Sequence, residues 1–345
     1  MKHPTFFKAI LCCSLIVLMM LSAQLWGQPP TSRRGGLYGD WQIKYQAGER
    51  QREAIISFSR DSEGNRTGQW ISFMSLSELK DFKYEDGKLS FTRSSRGRDG
   101  QTTTSKFTGT IQDGVLSGTM SSDRGEYKLE GKPIPRIPRA VGNWEIKFKA
   151  GEREITSTLV VKADKEGKLS AQWRSERAEH EITDLEHERG RLTFKFKRIL
   201  KRKSKMQDRE WATLEGTVQR NTDTLSGVMK ADDVEIPFEG KRIGGPVIGT
   251  WDLEVTSERG TRKQRLMVNP DMSGLYGAIP IKKVNFEGNQ VSFKIVSEFG
   301  DQKFEMDFQG KLADSKLTGE LTSPRGSQKV TGTKVVRTFR GRSSP

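Results

Sequence analysis

The chain has 345 residues, a formal net charge of +15 at pH 7, and a hydrophobic fraction of only 33%. Both of its cysteines lie among the first 27 residues, which excludes disulfide bonds and cysteine catalysis in the remainder. The low hydrophobic fraction is typical of small domains with little interior. The excess of cations is spread along the chain, a distribution that favours solubility and weak attraction for anions.

Residues 1–27 have the pattern of a secretory signal peptide. Two lysines precede an apolar run over residues 9–21, and small residues follow it. We expect cleavage after Ala23 or Gly27, with a secreted or periplasmic product and no transmembrane span after cleavage. An uncleaved anchor is the alternative. Secreted eukaryotic domains of this size usually carry disulfides, so the missing cysteines indicate bacterial export.

One short phrase opens three successive segments of about 100 residues each, and such a repeat decides the architecture. The three phrases are Gly39-Asp40-Trp41, Gly142-Asn143-Trp144 and Gly249-Thr250-Trp251. Later phrases recur in the same order, among them LSGTM at 116–120, LSGVM at 225–229 and LTGEL at 317–321. The sequence therefore predicts three tandem copies of one unit.

Each unit has the periodicity of β-strands. Apolar residues alternate with polar residues after each opening phrase, which predicts half-buried strands. Asp86-Gly87, Asp113-Gly114 and Glu287-Gly288-Asn289 predict hairpin turns between strands. We expect about eight antiparallel strands per unit, closed into a meander barrel, because closure removes exposed edges. No segment after residue 27 has a sustained helical pattern, so we expect almost no helix.

The repeats and linkers divide the chain into eight parts. The prediction is a signal peptide at 1–27, a linker at 28–36, barrel repeats at 37–133, 140–243 and 247–336, a proline-rich linker at 134–139, a linker at 244–246, and a disordered basic tail at 337–345.

Glycines recur at apolar positions of the predicted strands. Gly118, Gly227 and Gly319 share the inner face of one strand in each unit, and Gly68 and Gly277 precede apolar residues on an earlier strand. Glycine weakens a strand, so its recurrence requires a reason. We expect that these glycines make room for a tryptophan across a narrow interior that side chains fill.

The Gly-x-Trp triplets at Gly39, Gly142 and Gly249 resemble the first strand of lipocalin and avidin (calycin) barrels. The units are also similar to lipocalin-like β-barrel repeats of secreted bacterial proteins, and the resemblance covers nearly the whole chain after residue 27. It implies a ligand pocket inside each barrel, near Trp41, Trp144 and Trp251. The alternative is that these tryptophans belong to the core.

Catalytic and metal-binding patterns are weak. His180 and His187 are the only histidines after residue 27, and no Gly-x-Ser-x-Gly elbow is present. An acidic run around them would alternate between the two faces of a strand, whereas a metal site must bring its ligands together. His187 aligns with Tyr84 and Phe286, which indicates a packing role. We expect no enzyme activity, no metal and no cofactor.

The densest cationic segment lies in the second unit, in an extended hairpin between its fifth and sixth strands. Its cations are Lys195, Lys197, Arg198, Lys201, Arg202, Lys203 and Lys205. Such a hairpin could bind a polyanion, or it could be a solvated loop whose charge prevents aggregation. Nucleic acid is disfavoured, because the hairpin lacks interleaved aromatic residues and the chain is exported.

The sequence favours an exported, non-enzymatic binding or scaffold protein of the cell envelope, in which three barrels act multivalently. One alternative is a carrier of small apolar ligands that uses the barrel interiors. A second alternative is a polyanion binder that uses the basic hairpin. Candidate partners are envelope polysaccharide, lipopolysaccharide or another exported protein.

Overall fold

A computed structural model describes residues 37–335, apart from residues 49, 62, 97–100, 165, 177, 201–210, 220–222, 232, 259 and 300–301. All regular structure in this part of the chain is β-strand, and none of it is a helix that could span a membrane. The predicted signal peptide, the linker at 28–36 and the tail at 337–345 lie outside the described residues.

Barrel 1 is a closed meander of eight antiparallel strands. Its strands are β1 (Gly39–Ala47), β2 (Arg50–Arg60), β3 (Arg66–Ile71), β4 (Leu76–Glu85), β5 (Lys88–Arg96), β6 (Thr102–Gln112), β7 (Val115–Ser122) and β8 (Gly125–Pro133). The barrel closes where β1 pairs with β8, from Trp41 opposite Pro133 to Tyr45 opposite Leu129. The predicted Asp-Gly turns are present, with positive φ at Asp86 and Asp113.

Barrel 2 repeats this closed topology. Its strands are β9 (Gly142–Ala150), β10 (Arg153–Ala163), β11 (Leu169–Arg174), β12 (Ala178–Glu188), β13 (Arg191–Leu200), β14 (Ala212–Val218), β15 (Thr224–Ala231) and β16 (Val234–Arg242). The fourth strand bulges at the same place in both barrels, near Asp81 in β4 and Asp184 in β12, and both aspartates have positive φ.

Barrel 3 has nine strands and is nearly closed. Its strands are β17 (Gly249–Ser257), β18 (Gly260–Val268), β19 (Gly274–Tyr276), β20 (Ile279–Ile281), β21 (Val284–Glu287), β22 (Gln290–Phe299), β23 (Gln302–Ala313), β24 (Lys316–Ser323) and β25 (Gly326–Lys334). Among the described residues, β20 pairs only with β19, and β21 pairs only with β22. The fourth strand of the other barrels is therefore divided here into β20 and β21.

The division corrects the expectation for Gly277. This glycine does not lie on the inner face of a strand; it lies in the turn between β19 and β20 with a φ of +59°. A Cβ on Gly277 would overlap the carbonyl oxygen of Ser72 in barrel 1. Glycine is therefore required both for the turn and for the close approach of a second barrel.

Each barrel places two glycines directly opposite each other, Gly109–Gly118, Gly216–Gly227 and Gly310–Gly319. The expectation that the later glycine of each pair makes room for a tryptophan is wrong. In barrels 1 and 3 the nearest side chains are Phe107 and Phe308, from the sixth and seventh strands of those barrels, β6 and β23. In barrel 2 the β14 equivalent is Leu214, and the nearest ring to Gly216 is that of Phe238 from β16, beside Leu225. An aromatic ring therefore lies against at least one glycine of each pair.

Barrels 1 and 3 are joined by polar contacts between the loop after β3 and strand β18. Gln264, fully buried, donates from Nε2 to the carbonyl oxygens of Ser72 and Phe73 at 3.0 and 2.7 Å. Arg265 donates from Nη2 to Gln69 Oε1 at 2.7 Å. Buried polar groups of this kind are stable only with their partners in place, so the two barrels fix each other.

Apolar packing surrounds these contacts. Ile55 and Ile71 of barrel 1 form one buried cluster with Ala278 of barrel 3. The rings of Phe73 and Phe304 meet edge to face, with centroids 5.6 Å apart. We refer to this combined surface, the loop of residues 72–75 against β18 and the turn at Gly277, as the barrel 1–3 joint.

Candidate functional sites

The Gly-x-Trp triplets form the same structure in all three barrels. Gly39, Gly142 and Gly249 have φ values of +130°, +142° and +130°, a region that side chains rarely allow. Trp144 and Trp251 are fully buried, and each donates its indole N–H to the carbonyl four residues earlier, at 2.9 and 2.8 Å. In barrels 2 and 3 the glycine turns the chain so that the segment before the first strand covers the tryptophan.

A cation from the last strand covers two of these tryptophans. Arg242 lies over the Trp144 ring at 4.0 Å, and Lys334 lies over the Trp251 ring at 5.5 Å. Arg242 also donates to the carbonyl oxygens of Val141 and Arg139, and to Asp223 Oδ1. Burial lowers the pKa of Arg242, and the Asp223 carboxylate opposes this shift. In barrel 1 the residue opposite Trp41 is Pro133.

The three tryptophans proposed as ligand contacts are therefore packed against protein. Trp41, Trp144 and Trp251 are 1%, 0% and 0% exposed. An apolar carrier would need open space beside them, since ligand sites bury most of a ligand against lining side chains. Ligand binding at these residues stays a prediction.

The base of the basic hairpin is balanced by acids. Lys195 Nζ lies 3.0 Å from Asp184 Oδ2, and Lys197 is opposite Glu181 in the β12–β13 register. Arg198 is opposite His180 in the same register. The remaining predicted contacts, Lys201, Arg202, Lys203 and Lys205, lie outside the described residues.

The histidine-bearing strand β12 alternates as expected. Glu179 and Glu181 are exposed, whereas His180 and His187 are partly buried. His180 stacks on Trp173 with ring centroids 4.4 Å apart. Within the described residues, no group of three or more acidic, histidine or cysteine side chains is arranged to hold a metal ion.

His187 occupies the predicted packing position. It pairs with Leu192, as Tyr84 pairs with Leu89 and Phe286 with Val291. Its Nε2 is buried and has no hydrogen-bond partner in the part of the chain that the structure describes. Burial lowers the pKa of His187, and the positive charge of Arg139 lowers it further.

Sequence reasoning missed the cluster at the opposite end of barrel 1. We call this end, where β1 finishes, the far end. Arg93 points inward there and lies over the Trp70 ring at 4.7 Å. Tyr45 and Tyr127 stack beside it, with centroids 5.2 Å apart. Arg93 was not singled out from the sequence; its spacing of two from the buried Phe91 was the signal that it faces inward.

Comparison with known proteins identifies no family. No protein-family model and no curated protein matches the chain. Similar solved structures include a candidate outer membrane protein of Bacteroides fragilis NCTC 9343, with 8% identity, a TM-score of 0.23, and coverage of 86% of this chain and 97% of that one. A double mutant of transferrin binding protein B from Haemophilus parasuis Hp5 has 11% identity, a TM-score of 0.20, and coverage of 86% and 75%.

Transferrin binding protein B of serogroup B Neisseria meningitidis is also similar, with 10% identity, a TM-score of 0.17, and coverage of 82% of this chain and 63% of that one. At these identities and TM-scores, the similarities identify neither a family nor a function.

Proposed function

We propose that the chain is an exported, non-enzymatic binding or scaffold protein of the bacterial cell envelope, whose three barrels act together through their outer surfaces. The barrel 1–3 joint is the observation that supports this most. Binding modules held in one arrangement lose less freedom when they bind together, so weak contacts can add up to a useful affinity.

The buried tryptophans on the first strand of each barrel support the same proposal. Trp41, Trp144 and Trp251 are enclosed by protein atoms, which leaves the outer faces and the far ends for contact with partners. Candidate partners are an envelope polysaccharide, lipopolysaccharide or another exported protein.

The joint provides the test. In Gln264→Glu, a carboxylate of the same shape would face the carbonyl oxygens of Ser72 and Phe73, and it could not donate to them. We expect the barrels to separate and the affinity for isolated cell envelopes to fall about 10-fold, because multivalent contact needs the correct spacing. Gln309→Glu is the matched control, since Gln309 is exposed on β23.

Envelope binding is measured by sedimentation at several protein concentrations, and separation of the barrels by small-angle scattering. If the Gln264→Glu chain separates and binds envelopes as tightly as the native chain, multivalent action through fixed barrels is wrong. If the native chain binds no envelope component, the proposed function is wrong.

The basic hairpin supports a second candidate, polyanion binding. The β12–β13 ladder runs to Ala178 opposite Leu200, so the described part of the basic hairpin ends at the far end of barrel 2. Its charge density is the feature that polyanions recognise.

Replacing Lys201, Arg202 and Lys203 with glutamine should lower the salt concentration that elutes the chain from immobilised heparin or lipopolysaccharide. Charge contacts are screened by salt, so the dependence of retention on salt should also become flatter. The control replaces three exposed lysines of barrel 1, Lys80, Lys83 and Lys88. Equal losses in the two triple variants would mean that net charge, not the hairpin, binds the polyanion.

A further inference from the structure

The far end of barrel 1 differs from the corresponding ends of barrels 2 and 3. Strand pairing makes the comparison direct, because Phe91 pairs with Phe107, Phe194 with Leu214, and Phe293 with Phe308. Two residues after these phenylalanines, the inward position is Arg93 in barrel 1, Phe196 in barrel 2 and Ile295 in barrel 3. Barrel 1 alone places a cation at this point of its interior.

The neighbours of Arg93 are polar in barrel 1 and apolar in barrel 2. Position by position, Tyr45, Ser105 and Tyr127 of barrel 1 correspond to Phe148, Ala212 and Ile236 of barrel 2. The whole layer has therefore changed from an aromatic and aliphatic core into a set of hydroxyl groups around a guanidinium. Because several facing residues differ together between the two barrels, the difference is not that of a single substitution tolerated at a surface position.

Arg93 is held in place without a countercharge among the described residues. Its guanidinium lies over Trp70, and its Nε donates to Ser77 Oγ at 3.3 Å. Tyr127 is a further hydrogen-bond partner. No ion pair in the described part of the chain joins it to a carboxylate. Burial lowers the pKa of Arg93 and raises that of Tyr127, which is the expected result of removing a charge and a phenol from water.

We propose that the far end of barrel 1 binds a small organic carboxylate, which pairs with the Arg93 guanidinium beside the stacked rings of Tyr45 and Tyr127. A guanidinium stacked on an indole presents its N–H groups in the plane of the group, and that arrangement matches the two oxygens of a carboxylate. The tyrosine rings would contact the rest of the ligand.

The depth of the site limits the ligand. The next inward layer contains Phe91 and Phe107, which are 1% and 0% exposed, so the ligand cannot pass far into the barrel. Tyr45 and Tyr127 are partly exposed, so the ligand would reach Arg93 past these two rings. The structure therefore favours a compact acid with a flat or short apolar part over a long-chain lipid.

The charge of the site favours a monoanion. Besides Arg93, the cation that acts on Tyr127 is Arg52, an exposed residue near the start of β2. A phosphate dianion would be matched by more cations and by backbone N–H groups, which the strand ladder already occupies here. The site lies inside the end of barrel 1, and its test does not depend on binding to cell envelopes.

The test is a titration of the full chain with benzoate. Binding is measured by isothermal calorimetry and by the NMR signals of the arginine Nε–H groups. We expect saturable binding that shifts one arginine signal, and loss of that signal in Arg93→Lys identifies it. Arg93→Phe, which copies barrel 2, should lose benzoate binding at least 10-fold and remain folded by circular dichroism. Arg93→Lys should weaken binding and keep the charge, because an ammonium lacks the planar fork.

The control variant is Arg60→Gln. Arg60 also lies over a tyrosine ring, at 4.9 Å from Tyr38, but it is exposed, so benzoate binding should be unchanged. Benzamide, which has the same shape without the charge, should not bind. Equal binding of benzamide, tighter binding of inorganic phosphate, or unchanged binding of benzoate by folded Arg93→Phe would each overturn the proposal.

Discussion

The opposed glycines of barrel 2 provide a matched pair of substitutions. Gly216 and Gly227 face each other across β14 and β15. A Cβ on Gly227 would overlap the Glu215 carbonyl oxygen and lie 2.7 Å from Gly216 Cα, so only a backbone shift could accommodate it. A Cβ on Gly216 would instead meet side-chain ends, Leu225 Cδ1 at 2.8 Å and Phe238 Cζ at 3.1 Å.

We therefore expect Gly227→Ala to destabilise barrel 2 much more than Gly216→Ala does. Overpacking that moves the backbone costs about 3 kcal/mol, and each weakened ladder hydrogen bond adds about 1 kcal/mol. The reduced freedom of the unfolded chain offsets about 0.4–1 kcal/mol. The net loss is about 3 kcal/mol for Gly227→Ala, and about 1 kcal/mol or less for Gly216→Ala, because side-chain ends can rotate.

Hydrogen exchange of peptides from β14 and β15 measures this difference in the full chain, since the slowest amides report opening of the whole barrel. Exchange should be about 100-fold faster in Gly227→Ala and less than 10-fold faster in Gly216→Ala, at about 1.4 kcal/mol for each factor of ten. Equal acceleration in the two variants would refute the argument that backbone contact, rather than side-chain contact, requires the glycine.

Two further predictions concern unpartnered nitrogens. Burial and the charge of Arg139 lower the folded-state pKa of His187, so the unfolded chain binds a proton first as the pH falls below about 6.5. Lowering the pH from 8 to 5 should therefore reduce the urea midpoint of the native chain more than that of the His187→Tyr variant. Equal reductions in the two proteins would contradict this. Trp70 Nε1 is buried without a hydrogen-bond partner among the described residues, whereas Trp173 Nε1 donates to Ser157 Oγ at 2.8 Å. Ala54 holds the position equivalent to Ser157, so Ala54→Ser should supply the missing hydrogen bond and stabilise barrel 1 by about 1 kcal/mol. An unchanged urea midpoint would show that the missing hydrogen bond does not limit the stability of barrel 1.

Local patterns in the sequence predicted the all-β class, the repeated meander and the turns at Asp86-Gly87 and Asp113-Gly114. Each of these depends on residues that are close in the chain: alternation sets the buried face of a strand, and a positive φ sets a hairpin turn. The register of His187 with Tyr84 and Phe286 was also predictable, because the three units align.

Contacts between distant strands were predicted less well. Alternation placed Gly118 and Gly227 on an inner face, but it could not show that phenylalanine rings, and not tryptophans, cover them. Which ring reaches a glycine depends on the facing strand, and barrel 2 takes Phe238 from β16 where barrel 1 uses Phe107 from β6.

The sequence by itself determined that three barrels form, because strand period, turn residues and the Gly-x-Trp triplet act over a few neighbouring residues. Only the tertiary structure decided that Arg93 is enclosed, that the fourth strand of barrel 3 is divided, and that Gln264 joins barrel 3 to barrel 1. The environment of a side chain depends on which residues barrel closure and barrel packing place against it, and those residues lie far away in the chain.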